Sequence, residues 1–342
     1  MSQDYKQIIQ REYLNCVKSP VHFMKKYCKI QHPTKGKIKF NLYDYQQEML
    51  TDFVDNRYNI ILKSRQLGIS TLSAGYSLWM MLFNQDKNIL VIAKDKDTAK
   101  NLVTKVRIMY ANLPQWLKTK VIEDNKLSLV FSNGSQIKAV AATAEAGRSE
   151  ALSLLVIDEA AFIDKIDSIW TAAQQTLATG GDCIALSTPN GVGNWFHQQW
   201  MGALDGSNNF NTIKLHWTCH PERDDAWRAE QDKVLGPSQA AQECDADFLT
   251  SGESVVDPQI LSWYKENQVC EPVEKLGVDN NLWIWEQPDY TKEYIVVADV
   301  ARGDGTDFSA CQVFEVEDME QVAEYKGQLS TTDYGNFLIE VA

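Results

Sequence analysis

The chain has 342 residues, enough for one large domain and part of a second, and its 44% hydrophobic and 23% charged fractions are typical of a globular protein. No apolar run is long enough to span a bilayer, and seven scattered cysteines without a C-x-x-C pair indicate a reducing compartment rather than a disulfide framework. The net charge of −13 excludes a uniformly basic protein but not a DNA partner, because DNA contacts need only a local basic surface.

The predicted elements begin with a basic segment. Residues 1–40, interpreted as an N-terminal helical extension, carry nine lysines and arginines against two acids, Asp4 and Glu12. A solvated basic face explains this run as well as a binding surface does.

Four short apolar runs follow, and they alternate with helical segments. This order predicts a mainly parallel α/β sheet with helices on both faces. The strands are predicted at residues 58–62, 88–93, 152–158 and 182–188, and the clearest helices at 71–83 and 96–110. Residues 128–142 read as two strands joined by an Asn-Gly turn.

The alternation fades near residue 250, where we predict a domain junction. We assign residues 41–250 to the sheet domain and 251–285 to a linker or lid. Residues 294–316 then read as two antiparallel strands around a Gly/Asp turn. Because two strands alone are not stable in water, residues 286–342 are expected to open a larger domain that the chain truncates.

One strand-to-helix turn has the setting of a phosphate-binding loop. Backbone N–H groups and a helix N-terminus face an anion in such a turn. The segment departs from G-x-x-x-x-G-K-[ST], since Lys63 replaces the first glycine and Ile69 the lysine, while Gly68 and Ser70 are in register. Lys63 or Arg65 could supply the missing cation. Alone, the segment is also compatible with an ordinary turn.

Polar residues end two further strands. Asp158 and Glu159 follow four apolar residues, where carboxylates suit a Mg²⁺ contact and the activation of water. The fourth predicted strand ends in the segment Ser187 to Gly191, which is either a γ-phosphate sensor or a plain Pro-Asn-Gly turn. Strand carboxyl ends are where parallel sheets bind ligands.

Taken together, five motifs in order make the chain resemble the large terminase subunit of tailed bacteriophages. They are LYDYQQEML (42–50), SRQLGIST (64–71), VIDEAAF (156–162), LSTPNG (186–191) and VADVARGDGTD (297–307). The resemblance runs from about residue 21 to the end. It implies a P-loop ATPase core followed by the start of a ribonuclease H-like nuclease domain.

The resemblance also implies roles for individual residues. Glu159 matches the catalytic base and Arg148 an arginine finger that acts on a neighbouring subunit. Ser70 and Asp158 match the Mg²⁺-associated residues of the ATPase site, and Asp299 and Asp307 the first metal-binding acids of the nuclease. Thr188, Pro189 and Asn190 match the segment that couples hydrolysis to movement. The implied ATP-binding residues are Tyr45 and Gln46, which match the adenine-contacting pair, with Lys63, Ser64, Arg65, Gln66, Leu67, Gly68, Ile69, Ser70 and Thr71.

The implied function is an ATP-hydrolysing motor that moves double-stranded viral DNA into a procapsid. Its cofactors would be ATP and Mg²⁺, with Mg²⁺ or Mn²⁺ in a nuclease that cuts concatemeric DNA and is incomplete in this chain. Its partners would be double-stranded DNA, the portal protein, the small terminase subunit and identical copies in a pentameric ring. It would act in the cytoplasm of the infected bacterium, docked on the procapsid, with no membrane contact.

Two other functions remain open. A helicase-like DNA translocase shares the core but should carry a second P-loop-like lobe where the Asp299 segment stands. A nucleotide-binding module without hydrolysis is favoured by Ile69 and disfavoured by Glu159, because a binding module needs no base.

Overall fold

The computed structural model describes residues 3–142, 151–248, 258–277, 279–303 and 307–342. The chain divides into two compact units, residues 1–261 and 262–342. The helices of the first unit are α1 (Gln3–Lys18), α2 (Pro20–Tyr27), α3 (Asp44–Asp55), α4 (Ile69–Phe83), α5 (Lys96–Ala111), α6 (Ile166–Leu177), α7 (Trp195–Leu204), α8 (Asp225–Leu235) and α9 (Pro237–Cys244). Its strands are β1 (Lys29–His32), β2 (Gly36–Lys39), β3 (Tyr58–Lys63), β4 (Asn88–Ala93), β5 (Val121–Asn125), β6 (Ser128–Phe131), β7 (Gln136–Ala141), β8 (Leu154–Asp158), β9 (Asp182–Ser187) and β10 (Asn211–Leu215).

An eight-stranded sheet organises the first unit. Its strand order is β10-β3-β9-β8-β4-β7-β6-β5, and the first six strands are parallel. The last two form antiparallel pairs at one edge. This architecture confirms the predicted mainly parallel α/β sheet, its four apolar strands and the hairpin of residues 128–142.

Each face of the sheet has its own hydrophobic core because the central strands carry consecutive apolar residues in their middle. Along β8, Leu154 and Val156 point into the core that contains α4 and α5. Leu155 and Ile157 point into the opposite core, which contains α6 and α7. All of these side chains are fully buried. Burial on both faces explains why the sequence shows continuous apolar runs rather than alternation.

The register of the central strands brings three loops together. In β3, β9 and β8, which are adjacent, Leu62 pairs with Ser187 and Asp158 pairs with Leu186. The strands are parallel, so the segments that follow Lys63, Asp158 and Ser187 leave the same edge of the sheet.

The N-terminal segment is only partly helical. Residues 29–39, predicted to belong to a helical extension, form the antiparallel hairpin β1–β2 instead. Exposed and half-buried residues alternate along both strands, as the period of a strand requires. Gly36 has φ +69° and closes the turn after Pro33.

The second unit contains an antiparallel sheet of the order β11-β12-β15-β14-β13. The predicted antiparallel pair of residues 294–316 is confirmed as two of its strands. Two parts of the predicted linker, residues 274–276 and 282–284, supply its other edge. Its elements are β11 (Glu274–Leu276), β12 (Leu282–Ile284), β13 (Tyr294–Asp299), β14 (Ser309–Glu315), β15 (Gln321–Gly327) and α11 (Thr331–Val341). Helix α10 (Pro258–Asn267) spans the residue at which the chain divides. Among the residues that the structure describes, no helix has the length and apolarity needed to cross a bilayer.

Candidate nucleotide site

The loop between β3 and α4 has the geometry of an anion-binding turn. Gly68 adopts φ +76° and precedes the helix, and its carbonyl accepts the N–H groups of Thr71 and Leu72 at 3.1 and 3.0 Å. The start of α4, with the positive end of its helix dipole, therefore follows closely after the end of β3. Ser70 is half-buried in this turn. The arrangement suits a phosphate group.

The departures from the P-loop pattern have a structural explanation. Ile69, which stands where most P-loops carry a lysine, is 1% exposed and packs in the hydrophobic core beneath α4. Leu67 is buried in the same core. These two predicted ATP-binding residues can therefore contribute only their backbone groups.

Two residues of α3 hold the loop from one side. The Tyr45 hydroxyl and the Gln46 amide both donate to the carbonyl of Leu67, at 2.9 and 3.0 Å. The Gln46 amide oxygen accepts from the backbone N–H of Tyr43 at 3.2 Å. A Cβ at Gly68 would approach the Gln46 amide to 2.9 Å. Both side chains are buried, so their contacts support the loop, and the predicted adenine contact stays a prediction.

Arg223 holds the loop from the other side. Its guanidinium donates to the Ser64 hydroxyl at 3.3 Å and to the carbonyls of Arg65 and Gln66 at 3.0 and 3.3 Å. It also lies 4.3 Å from the ring centroid of Trp227, at cation–π distance. The fork of an arginine is suited to several acceptors in fixed positions. Sequence reasoning missed this residue.

The start of the loop is tied to β10 and α9. The N–H of Ser64 donates to the carbonyl of Leu215 at 2.8 Å. The N–H of Arg65 donates to the carbonyl of Glu243 at 2.7 Å, and the two side chains form an ion pair at 3.0 Å. One of the two predicted replacement cations is thus already paired. Gln66, at φ +59°, is a non-glycine residue in the left-handed region, and these bonds hold its neighbours.

The two acids of the second motif end β8. Asp158 is 6% exposed, and one of its carboxylate oxygens accepts the N–H of Glu159 at 3.1 Å. Glu159 is half-buried and adopts φ +56°, ψ +43°. A left-handed backbone at a side chain of this size costs about 1–3 kcal/mol, and such strain concentrates at functional sites.

Two lysines lie in the field of these acids. Burial lowers the pKa of Lys63, while the nearby carboxylates of Asp158, Glu159 and Glu243 oppose the shift. Burial likewise lowers the pKa of Lys105 in α5, opposed by Asp158. Lys63 is therefore the predicted cation that lies among the acids, and Lys105 is a second cation that sequence reasoning missed.

The segment after β9 is bonded to the turn that carries Glu159. The Ser187 hydroxyl accepts the N–H of Ala161 at 3.1 Å, and the Asn190 amide donates to the carbonyl of Ala161 at 3.1 Å. Thr188 and Pro189 are buried. The amide of Gln242 in α9 donates to the carbonyl of Pro189 at 3.2 Å. Helix α9 thus contacts both this segment and the phosphate loop.

The remaining predicted site residues are Arg148, Asp299 and Asp307. Arg148 lies outside the described residues. Asp299 ends β13, and both it and Asp307 are exposed. Within the described ranges, no three His, Cys, Asp or Glu side chains lie close enough together to hold a metal ion.

Solved structures share this fold. The ATPase domain of the Thermus phage P74-26 large terminase is 20% identical, with a TM-score of 0.51, over 61% of this chain and 94% of that one. The HK97 bacteriophage large terminase is 14% identical, with a TM-score of 0.56, over 91% and 67%. A large terminase from a thermophilic bacteriophage, solved in complex with ADP, is 14% identical, with a TM-score of 0.51, over 88% and 74%.

A family model supplies the decisive match. The model described as terminase large subunit, T4likevirus-type, N-terminal matches residues 60–278. That range spans the phosphate loop, the acids of β8 and the segment after β9, and it covers more than half of the chain. The chain therefore belongs to the terminase large subunit family.

Proposed function

We propose that this chain is the ATP-hydrolysing motor subunit of a viral DNA-packaging machine. The observation that carries the proposal is the meeting of the phosphate loop, the acids Asp158 and Glu159 and the Asn190 segment at one edge of the sheet. The thermophilic bacteriophage terminase that was solved in complex with ADP shares this fold, which supports a nucleotide as the ligand.

Different parts of the site bind the phosphates and the Mg²⁺ of Mg-ATP. The N–H groups of the first turn of α4 bind the phosphates, and Lys63 supplies the positive charge that Ile69 does not. The Ser70 hydroxyl and the Asp158 carboxylate are oxygen donors of the kind that Mg²⁺ prefers. When bound, the ion neutralises phosphate charge that develops during the reaction. Tyr45 and Gln46 stand at the loop where the adenine is expected.

Glu159 accepts a proton from the attacking water. Its backbone is fixed by the strained turn, by its bond to Asp158 and by the tie between Ala161 and Ser187. A positioned carboxylate of this kind typically contributes about 10²–10⁴-fold to turnover. Arg148 of a neighbouring copy completes the site by stabilising the transferred phosphoryl group.

Movement starts from the segment after β9. A change at Glu159 is transmitted along the backbone to Ala161, whose carbonyl accepts the Asn190 amide. The adjoining Pro189 passes it to α9, because its carbonyl accepts the amide of Gln242. Thr188, Pro189 and Asn190 therefore couple hydrolysis to displacement of the chain that follows α9. The displaced load is double-stranded DNA.

The assembled machine includes further partners. Identical copies form a ring on the portal protein of a procapsid in the host cytoplasm, and the small terminase subunit delivers the DNA. In the second unit, Asp299 and Asp307 contribute to a Mg²⁺- or Mn²⁺-dependent nuclease. These assignments rest on membership of the family.

Steady-state ATP hydrolysis in the presence of Mg²⁺ tests the proposal. Glu159→Ala should lower turnover at least about 100-fold, whereas the matched control Asp164→Asn, an exposed acid five residues along the chain, should not. A mixture of Glu159→Ala and Arg148→Ala should recover part of the activity, because each supplies what the other lacks. Equal turnover for Glu159→Ala and Asp164→Asn would contradict the proposal and favour the binding module without hydrolysis.

A further inference from the structure

The hairpin β1–β2 presents an unusual row of positive charge. Lys29, Lys37 and Lys39 are exposed on one face, together with Gln31, while Ile30 and Ile38 are half-buried on the other. We call these three lysines the basic ribbon. The ribbon belongs to a protein with a net charge of −13, so its charge is opposite to that of the whole.

The register of the hairpin places like charges side by side. Lys29 pairs directly with Lys39, and Gln31 with Lys37. Directly opposed like charges on a strand pair are destabilising. In the described part of the chain, no ion pair within 4.0 Å involves any of these three lysines. The repulsion on this face is therefore uncompensated and would be relieved by a bound polyanion.

The basic surface continues onto α2. An open cavity of about 450 Å³ is lined by Ser19, Val21, His22, Lys25, Lys26 and Lys39. Glu12 pairs with His22 and Lys26 at 3.2 and 2.6 Å and so neutralises part of the wall. Lys25 donates to the neutral amide of Gln47, at 3.2 Å, so its charge adds to that of the ribbon.

We propose that the basic ribbon and Lys25 bind the phosphate backbone of double-stranded DNA. Several lysines on a fixed strand pair suit a regular array of phosphates, and such contacts are independent of base sequence, as a motor that moves any DNA requires. The choice of DNA as the polyanion rests on the proposed function, whereas the presence of an anion site rests on the ribbon alone.

Fluorescence anisotropy with a short labelled DNA duplex of random sequence tests this surface. The variant Lys29→Gln/Lys37→Gln/Lys39→Gln is compared with Lys165→Gln/Lys214→Gln/Lys233→Gln, three exposed lysines elsewhere whose loss changes the net charge equally. The ribbon variant should lower affinity at low salt about tenfold or more, and should reduce the slope of log affinity against log salt by about one per lysine. The control should change both quantities little.

Three measurements distinguish the possible outcomes: melting temperature, ATP hydrolysis and DNA binding. The melting temperature of the ribbon variant should not fall, because the substitutions remove repulsion, and its ATP hydrolysis without DNA should equal that of the wild type. Equal DNA affinity and salt slope in the two triple variants would overturn the inference and leave the proposed function standing. Loss of DNA affinity in the ribbon variant alone, together with a wild-type chain that hydrolyses no ATP, would support the inference and overturn the proposed function.

Discussion

The phosphate loop and the acidic turn after β8 both hold a strained backbone in place, but different side chains support them. Each holds a non-glycine residue in the left-handed region, Gln66 at φ +59° and Glu159 at φ +56°. The loop is supported by side chains from outside the central strands, Gln46 of α3 and Arg223 of the segment before α8. The acidic turn is supported by the segment after the neighbouring strand, chiefly Asn190.

Because the supports differ, the loss of each should affect a different property of the site. Loss of a contact to the loop should disturb the backbone that binds phosphate, and so should change nucleotide affinity. Loss of a contact to the acidic turn should move the carboxylate of Glu159, and so should change turnover. The following substitutions separate the two effects.

Among the supporting residues, the largest effect is expected on ATP affinity in Arg223→Ala. Hydrogen bonds to a charged group are worth about 1.5–3 kcal/mol each, so a partial loss of loop order should weaken ATP binding about 10- to 100-fold. Calorimetric titration measures this affinity. Arg223→Lys keeps the charge without the fork and should recover little of it. A wild-type affinity in Arg223→Ala would contradict the role of distant support.

A smaller effect, on turnover rather than on ATP affinity, is expected for Asn190→Ala. Removal of one neutral hydrogen bond, worth about 1 kcal/mol, should lower kcat about fivefold and leave ATP affinity unchanged. Steady-state kinetics measures kcat, and calorimetry measures affinity. Asn194→Ala, which removes a bond to the Asn190 carbonyl at 2.8 Å, should act in the same direction. If Asn190→Ala weakens binding instead, the two supports are not distinct.

The smallest effect is expected outside both regions, at Glu12, where α1 is hydrogen-bonded to α2. Hydrogen bonds from Lys26, Tyr27 and His22 lower the pKa of Glu12 to about 2. A lowered folded-state pKa means that this contribution to stability is present above the ordinary value of 4.5 and is lost as the pH falls towards 2. The difference in melting temperature between wild type and Glu12→Gln should therefore shrink over that range. A difference that stays constant with pH would contradict the assignment.

The sequence predicted the acidic turn better than the loop for a physical reason. Apolar runs followed by polar residues mark strand ends, so the positions of Asp158 and Ser187 could be inferred from local pattern alone. The partners of the loop leave no such pattern. Arg223 and Glu243 are separated from Arg65 by 158 and 178 residues, and only the folded sheet brings them together.

Two further differences between prediction and structure have local causes. The basic segment 29–39 forms a hairpin because its lysines and isoleucines alternate with the period of a strand. The sequence pattern places Ile69 where a P-loop carries its lysine, and the burial of Ile69 shows that this position packs in the core beneath α4. The number of charged residues predicts neither the hairpin nor the burial of Ile69.

The central claim is that the phosphate loop and the acids at the end of β8 form one Mg-ATP site. A double-mutant cycle on Ser70→Ala and Asp158→Asn, with Mg²⁺-dependent ATP affinity as the readout, tests it most directly. If both side chains hold the same ion, the double variant should lose about as much affinity as the more damaging single variant, because the interaction is already gone. Losses that simply add would show two independent contributions and would contradict a shared site.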